Sequence, residues 1–267
     1  QARRPHGPPA REALQTLVDN QLPSFIERYP MLVDADGGTR RPMRTRSRYV
    51  KLHRLFPSGV DKQLNARIAR LCVLYEDLRI EVTGLLIPQR NGVDERCSCA
   101  EFDAGGFMNR ALYFLRRSIC TSSEFAEAIR MLNAAPGFKE LVSGLPTANQ
   151  REWCRAVEYF SSKEGLWKKI RNDVGGHFGN AAAVYAVTHG QPDASGRIEL
   201  QMTNGGKEGA VLGFASEIAA TALLRHLPSE RPEEKPRALF EEVQTAFRYA
   251  VRAVEYVVAV YLWKRSG

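Results

Sequence analysis

One short stretch of the chain, Arg171-Asn172-Asp173-Val174-Gly175-Gly176-His177, gathers groups suited to work on a phosphodiester, and Lys168 and Lys169 stand just before it. Cutting RNA without a metal requires a group that moves a proton at the 2′-hydroxyl or the leaving oxygen. It also requires fixed positive charge for the crowded phosphate oxygens of the transition state. Histidine titrates near neutral pH and serves the first need; arginine stays charged and offers a planar fork for the second. Arg171 and His177 are therefore the candidate catalytic pair, Asn172 a candidate orienting group, and Lys168 and Lys169 candidate RNA contacts.

Spacing limits how the pair can meet. At about 100° per residue, six steps put Arg171 and His177 about 240° apart on an unbroken helix, on different faces. Convergence needs the helix to stop or bend between them, and Gly175-Gly176 is the pair suited to that. A two-fold dimer that sets Arg171 of one chain against His177 of the other is the alternative.

With Arg171 and His177 separated by five residues and a polar Asn172 directly after the arginine, the segment resembles the HEPN family, the higher eukaryotic and prokaryotic nucleotide-binding proteins. Their hallmark is an arginine four to six residues before a histidine, often followed by a polar residue. The resemblance spans about residues 60–265, with only the short motif specific. It implies a helical bundle, frequent dimerisation and metal-independent ribonuclease activity, with many members acting as toxins or antiviral effectors. By resemblance Arg171 stabilises the phosphate, His177 moves the proton and Asn172 orients one of them. An RNA substrate, a homodimer and a cognate antitoxin or regulatory partner are implied with it, and no cofactor or metal.

A plainer reading covers the same residues. Arg171 and Lys169 complement the C-terminal end of a helix, Gly175-Gly176 cap it, and His177 occupies a turn. On that reading the protein is a non-catalytic HEPN-like subunit that binds nucleic acid or serves as a protein scaffold.

Other polar groups carry less. Cys97 and Cys99 form a Cys-x-Cys pair, but no second pair stands at zinc-ligand spacing. His53, His189 and His226 are isolated; His226 follows Arg225 near an expected helix end, where a cation favours the dipole. Asn204-Gly205-Gly206-Lys207-Glu208-Gly209 lacks the full phosphate-loop pattern and reads as a surface turn.

The elements that must position the motif are helices. Leu64, Ile68, Leu71, Leu74, Tyr75, Leu78 and Val82 recur at three and four, predicting a helix over about 60–86. A second is expected over about 107–132, with a break where Thr121-Ser122-Ser123-Glu124 offers a fresh N-cap. Residues 133–148 read as a connection containing at most one helical turn. A third helix from about 149 carries Trp153, Val157, Phe160, Leu166, Trp167 and Ile170 into the motif. Residues 182–202 change period, and with Gly190, Pro192, Asp193 and Gly196 as turn chemistry they predict a β-hairpin. An apolar, buried helix is expected over 210–227. A long amphipathic one then runs through Leu239, Phe240, Val243, Phe247, Ala250, Val254, Val257, Val258, Tyr261 and Leu262. Trp153, Trp167 and Trp263 are expected in the core.

The whole chain thus reads as mainly α: a helical bundle over 58–267 with a small inserted β-hairpin near 182–202, preceded by an Arg/Pro-rich N-terminal extension over 1–57 that holds one short helix at about 11–22. Its 267 residues, 44% hydrophobic, suffice for a large core. Five cysteines, an odd number mostly inside apolar helical stretches, fit a reducing compartment. No apolar run reaches the roughly 18 to 20 residues of a membrane span, so a cytoplasmic protein with no membrane partner is expected. The first residues, Gln1 to Arg11, hold three prolines and three arginines, unlike a signal sequence, and read as the start of a fragment or processed chain. A net charge of +8 favours a polyanionic partner. Arg40, Arg41, Arg44, Arg46 and Arg48, with Lys51 and Arg54, form an arginine cluster that reads equally as a phosphate-tracking segment or as solvated surface.

Overall fold

The computed structural model describes residues 50–57, 61–86, 103–175, 178–189, 198–203, 206–212, 214–227 and 234–265. His177, Gly176, Cys97, Cys99, Arg40, Arg41, Arg44, Arg46, Arg48 and the expected helix at 11–22 lie outside them.

Among the described residues the chain is mainly helical. A single turn, α1 (Leu52–Leu55), precedes α2 (Lys62–Leu86). Asp61 opens α2: its Oδ1 accepts from the backbone N–H groups of Gln63 (2.9 Å) and Leu64 (3.2 Å), satisfying two donors that no helical carbonyl reaches. The face predicted from spacing is the buried one, with Ile68, Leu71 and Leu78 fully enclosed. It packs along α3 (Asp103–Asn133), so closely that a Cβ on Gly84 would lie 2.6 Å from the Phe114 ring.

Helix α3 runs without the break expected at 121–124. Thr121, Ser122 and Ser123 are buried between neighbouring helices, where tertiary packing outweighs their local preference for capping. The stretch 133–148, read as a connection, holds the two-turn helix α4 (Pro136–Ser143), opened by a proline in its first turn.

Helix α5 (Thr147–Ile170) lies on α3 and on α8 (Lys235–Ala253). Phe125 of α3 meets Phe160 of α5 at 4.9 Å between ring centroids, and Phe138 of α4 meets Trp153 of α5 at 4.7 Å. Trp153 Nε1 donates to Asn133 Oδ1 (2.9 Å), so its one polar atom is satisfied in the core. Between α5 and α8, Glu242 accepts from Tyr159 Oη (3.1 Å) and Lys163 Nζ (2.5 Å), and Tyr159 stacks on Tyr249 at 4.7 Å.

Three further sequence expectations change. Residues 182–189, assigned to the hairpin, belong to helix α6 (Asn180–His189), whose Ala182 and Ala186 are buried one turn apart. An alanine-rich run favours helix, and that outweighed the change of period read there. The alternating run falls in β1 (Ile198–Thr203), which pairs antiparallel with the chain after it, β2 (Gly206–Leu212), with an irregularity between Gln201 and Met202. Because β2 takes up the start of the tract expected to be helical over 210–227, helix α7 covers only Phe214–Leu224. Trp263, expected in the core, is 40% exposed in α9 (Val260–Arg265), which continues α8 through a wider π-helical stretch at Val254–Ala259. No helix among the described residues is long and apolar enough to cross a membrane.

Candidate functional site

The end of α5 sorts the motif by burial. Trp167, Ile170 and Val174 enter the core, whereas Lys168, Lys169, Arg171 and Asn172 are exposed. Arg171 and Asn172 stand three and four residues after Lys168, so they are its neighbours on the helix surface. Arg171 forms no ion pair with another described residue, and it shares this exposed rim with Lys168 and Lys169. Its aliphatic stem lies next to Cys120 of α3, since a Cβ on Gly175 would meet both Arg171 Cγ and Cys120 Sγ, and its charge acts on the Cys120 thiol and the Glu127 carboxyl.

At Arg171 the helix changes gauge: Arg171–Gly175 form a π turn, in which each hydrogen bond spans one more residue than in α5. The sequence has a steric reason to break here. A Cβ on Gly175 would overlap Cys120 Sγ of α3, so only glycine lets the turn lie this close. Burial raises the Cys120 thiol against the opposing pull of Arg117, Arg171 and Arg116, which keeps it protonated and suits packing rather than nucleophilic attack. Residues 178–179 are not helical, and α6 starts at Asn180. The described helix thus runs to Gly175, and the next described residues, 178 and 179, are no longer helical.

The flanks of His177 are held on both sides. Arg116 Nε donates to the carbonyl of Val174 (2.5 Å), one of the acceptors a helix end leaves open, and its guanidinium lies 5.7 Å from the Phe178 ring centre. Gly179 N–H donates to the Asp173 carbonyl (3.1 Å), closing the loop.

A cluster that the spacing of residues does not announce gathers on Asp173. Its Oδ2 accepts from Arg225 through Nε (2.8 Å) and Nη2, and from His226 Nε2; both residues directly follow α7. These three side chains are about four-fifths buried. Arg225 lies over the Tyr185 ring (5.1 Å), and Tyr185 stacks on His189 (4.3 Å, 12° between planes). Burial acts to raise the Asp173 carboxyl, but hydrogen bonds from Arg225 and His226 and their charge outweigh it and hold the group below the usual carboxylate value. Asp173 thus faces α7 while Arg171 lies towards α3. Nothing in the sequence ties position 173 to 225; the one available signal was two adjacent cationic side chains at a helix end, read there as dipole partners. Among the described residues no three metal-ligating side chains come together.

No protein-family model matches the chain, and no curated protein or solved structure matches it.

Proposed function

We propose that the chain is a metal-independent endoribonuclease of the HEPN type, active as a homodimer. One observation carries the reading: an exposed Arg171 that forms no ion pair with another described residue, close to Lys168 and Lys169, where α5 gives way to the π turn just short of the Gly176-His177 pair. Buried or ion-paired, that arginine would be a structural residue; exposed among cations, it is placed to meet an anion. In the proposed reaction the substrate's 2′-oxygen attacks phosphorus and the bond to the 5′-oxygen breaks. His177 moves the proton, Arg171 bears on the phosphate oxygens, and the ends left are a 2′,3′-cyclic phosphate and a 5′-hydroxyl. The resemblance extends the proposal to a cytoplasmic toxin or antiviral effector, held in check by an antitoxin or regulatory partner.

Purified protein incubated with total RNA in chelator should cleave it, and Arg171→Ala and His177→Ala should each lower the rate by about two orders of magnitude or more with the fold intact. Cleavage unaffected by either change sinks the proposal.

A second reading, a non-catalytic nucleic-acid-binding or scaffold subunit, draws on the pairing of Asp173 with Arg225 and His226, the kind of contact that fastens a helix end in any bundle. It requires salt-sensitive RNA binding with no turnover.

A further inference from the structure

We infer that Asp173, Arg225 and His226 are positioning residues for the motif, holding the turn that carries Arg171; the inference rests on the ribonuclease reading. Up to Ile170 the backbone is ordered by the regular hydrogen bonds of α5. Beyond it the turn widens and stops, so side-chain ties must hold the chain from Arg171 onward. On the α3 side these ties are Arg116 on the Val174 carbonyl and Gly175 against Cys120. On the α7 side the tie is the Asp173 carboxylate, two residues after Arg171 and four before His177.

Its partners are themselves held. Arg225 is laid flat on Tyr185 of α6, with Nη1 reaching the Ala181 carbonyl (3.4 Å), and Tyr185 is backed by His189. His189 Nδ1 lies 3.1 Å from the Tyr185 carbonyl and 2.8 Å from Thr188 Oγ1. The fork therefore meets Asp173 already oriented, and His226, next in the chain, closes on the same oxygen. Three elements (the π turn, α6 and the end of α7) are drawn to one carboxylate. None of the three side chains is needed to attract RNA, because Lys168, Lys169 and Arg171 are exposed whereas Asp173, Arg225 and His226 are about four-fifths buried against one another. Loosening the tie should misplace the reacting groups and leave encounter unchanged.

The test is cleavage of a defined RNA oligonucleotide by the full chain, with kcat and KM measured for Asp173→Asn, Arg225→Ala, His226→Ala and His226→Gln at a temperature where melting curves show each variant folded. Asp173→Asn and Arg225→Ala should lower kcat by about tenfold to a hundredfold, as small misplacements do, with KM within about twofold. Their combination should cost no more than the worse single change, since both break one contact. His226→Gln, which keeps a donor near Nε2, should recover most of what His226→Ala loses, with the pH–rate profile unchanged in shape. Full kcat in Asp173→Asn and Arg225→Ala beside an inactive His177→Ala overturns the positioning role and leaves the ribonuclease reading standing. Losses that follow the unfolded fraction, or appear in KM alone, overturn it too. A glutamine variant as impaired as the alanine one removes His226 from the role, assigning it proton transfer of its own. A folded wild type that cuts no RNA removes the positioning role and the ribonuclease reading together.

Discussion

Asp173 is a carboxylate whose ionised form the fold prefers. The depressed folded-state value means its interactions add stability above 3.8, the ordinary value, where the unfolded chain also carries the charge. That contribution is lost as pH falls from 3.8 through the folded-state value. The stability difference between wild type and Asp173→Asn should therefore shrink below about pH 4 in denaturant titrations; a difference that grows as pH falls below about 4 contradicts the pairing. At this scale the sequence offers only part of the candidate site. Arg171, His177 and the two lysines were visible because their types and spacing carry meaning along the chain. Arg225 and His226 were not, because the oxygen they share lies 52 and 53 residues away and no local pattern records that meeting.

At the scale of elements, the break after α5 depends on the absence of one methyl group. Within an ordinary helix, glycine to alanine stabilises by roughly 0.5–1 kcal/mol. At Gly175 the sign should reverse, because the new carbon runs into Cys120 Sγ and overpacking costs about 1–3 kcal/mol. Gly175→Ala should lower the unfolding midpoint, and adding Cys120→Ala should restore part of the loss; strictly additive effects of the two changes would show that they do not meet. Helices with one buried face were readable in advance, since Leu64 to Val82 repeat at the helical period and bury as expected. Segments decided by what packs on them were not. The serines of α3 resemble a cap until their burial is known, and alanine-rich α6 has no strong periodicity to declare it.

For the whole molecule the relevant quantity is charge. An RNA-binding face that uses Lys168 and Lys169 releases counterions with each phosphate contact, so log affinity falls linearly with log salt. Replacing both lysines by alanine should flatten that slope by about 1.4 for single-stranded RNA and leave sequence preference unaltered, as filter binding across a salt series can measure. An unchanged slope places the RNA elsewhere, for instance on the arginines of residues 40–48. The bundle also fixes where along its length the motif comes to rest. Tyr159 and Lys163 both close on Glu242 of the neighbouring helix, so α5 cannot slide by one residue without forfeiting both bonds. That pin sits about 12 to 18 Å, at 1.5 Å of rise per residue, below Arg171. It works like the detent on a rod, so that the height at which the tip emerges is indexed in the middle of the shaft.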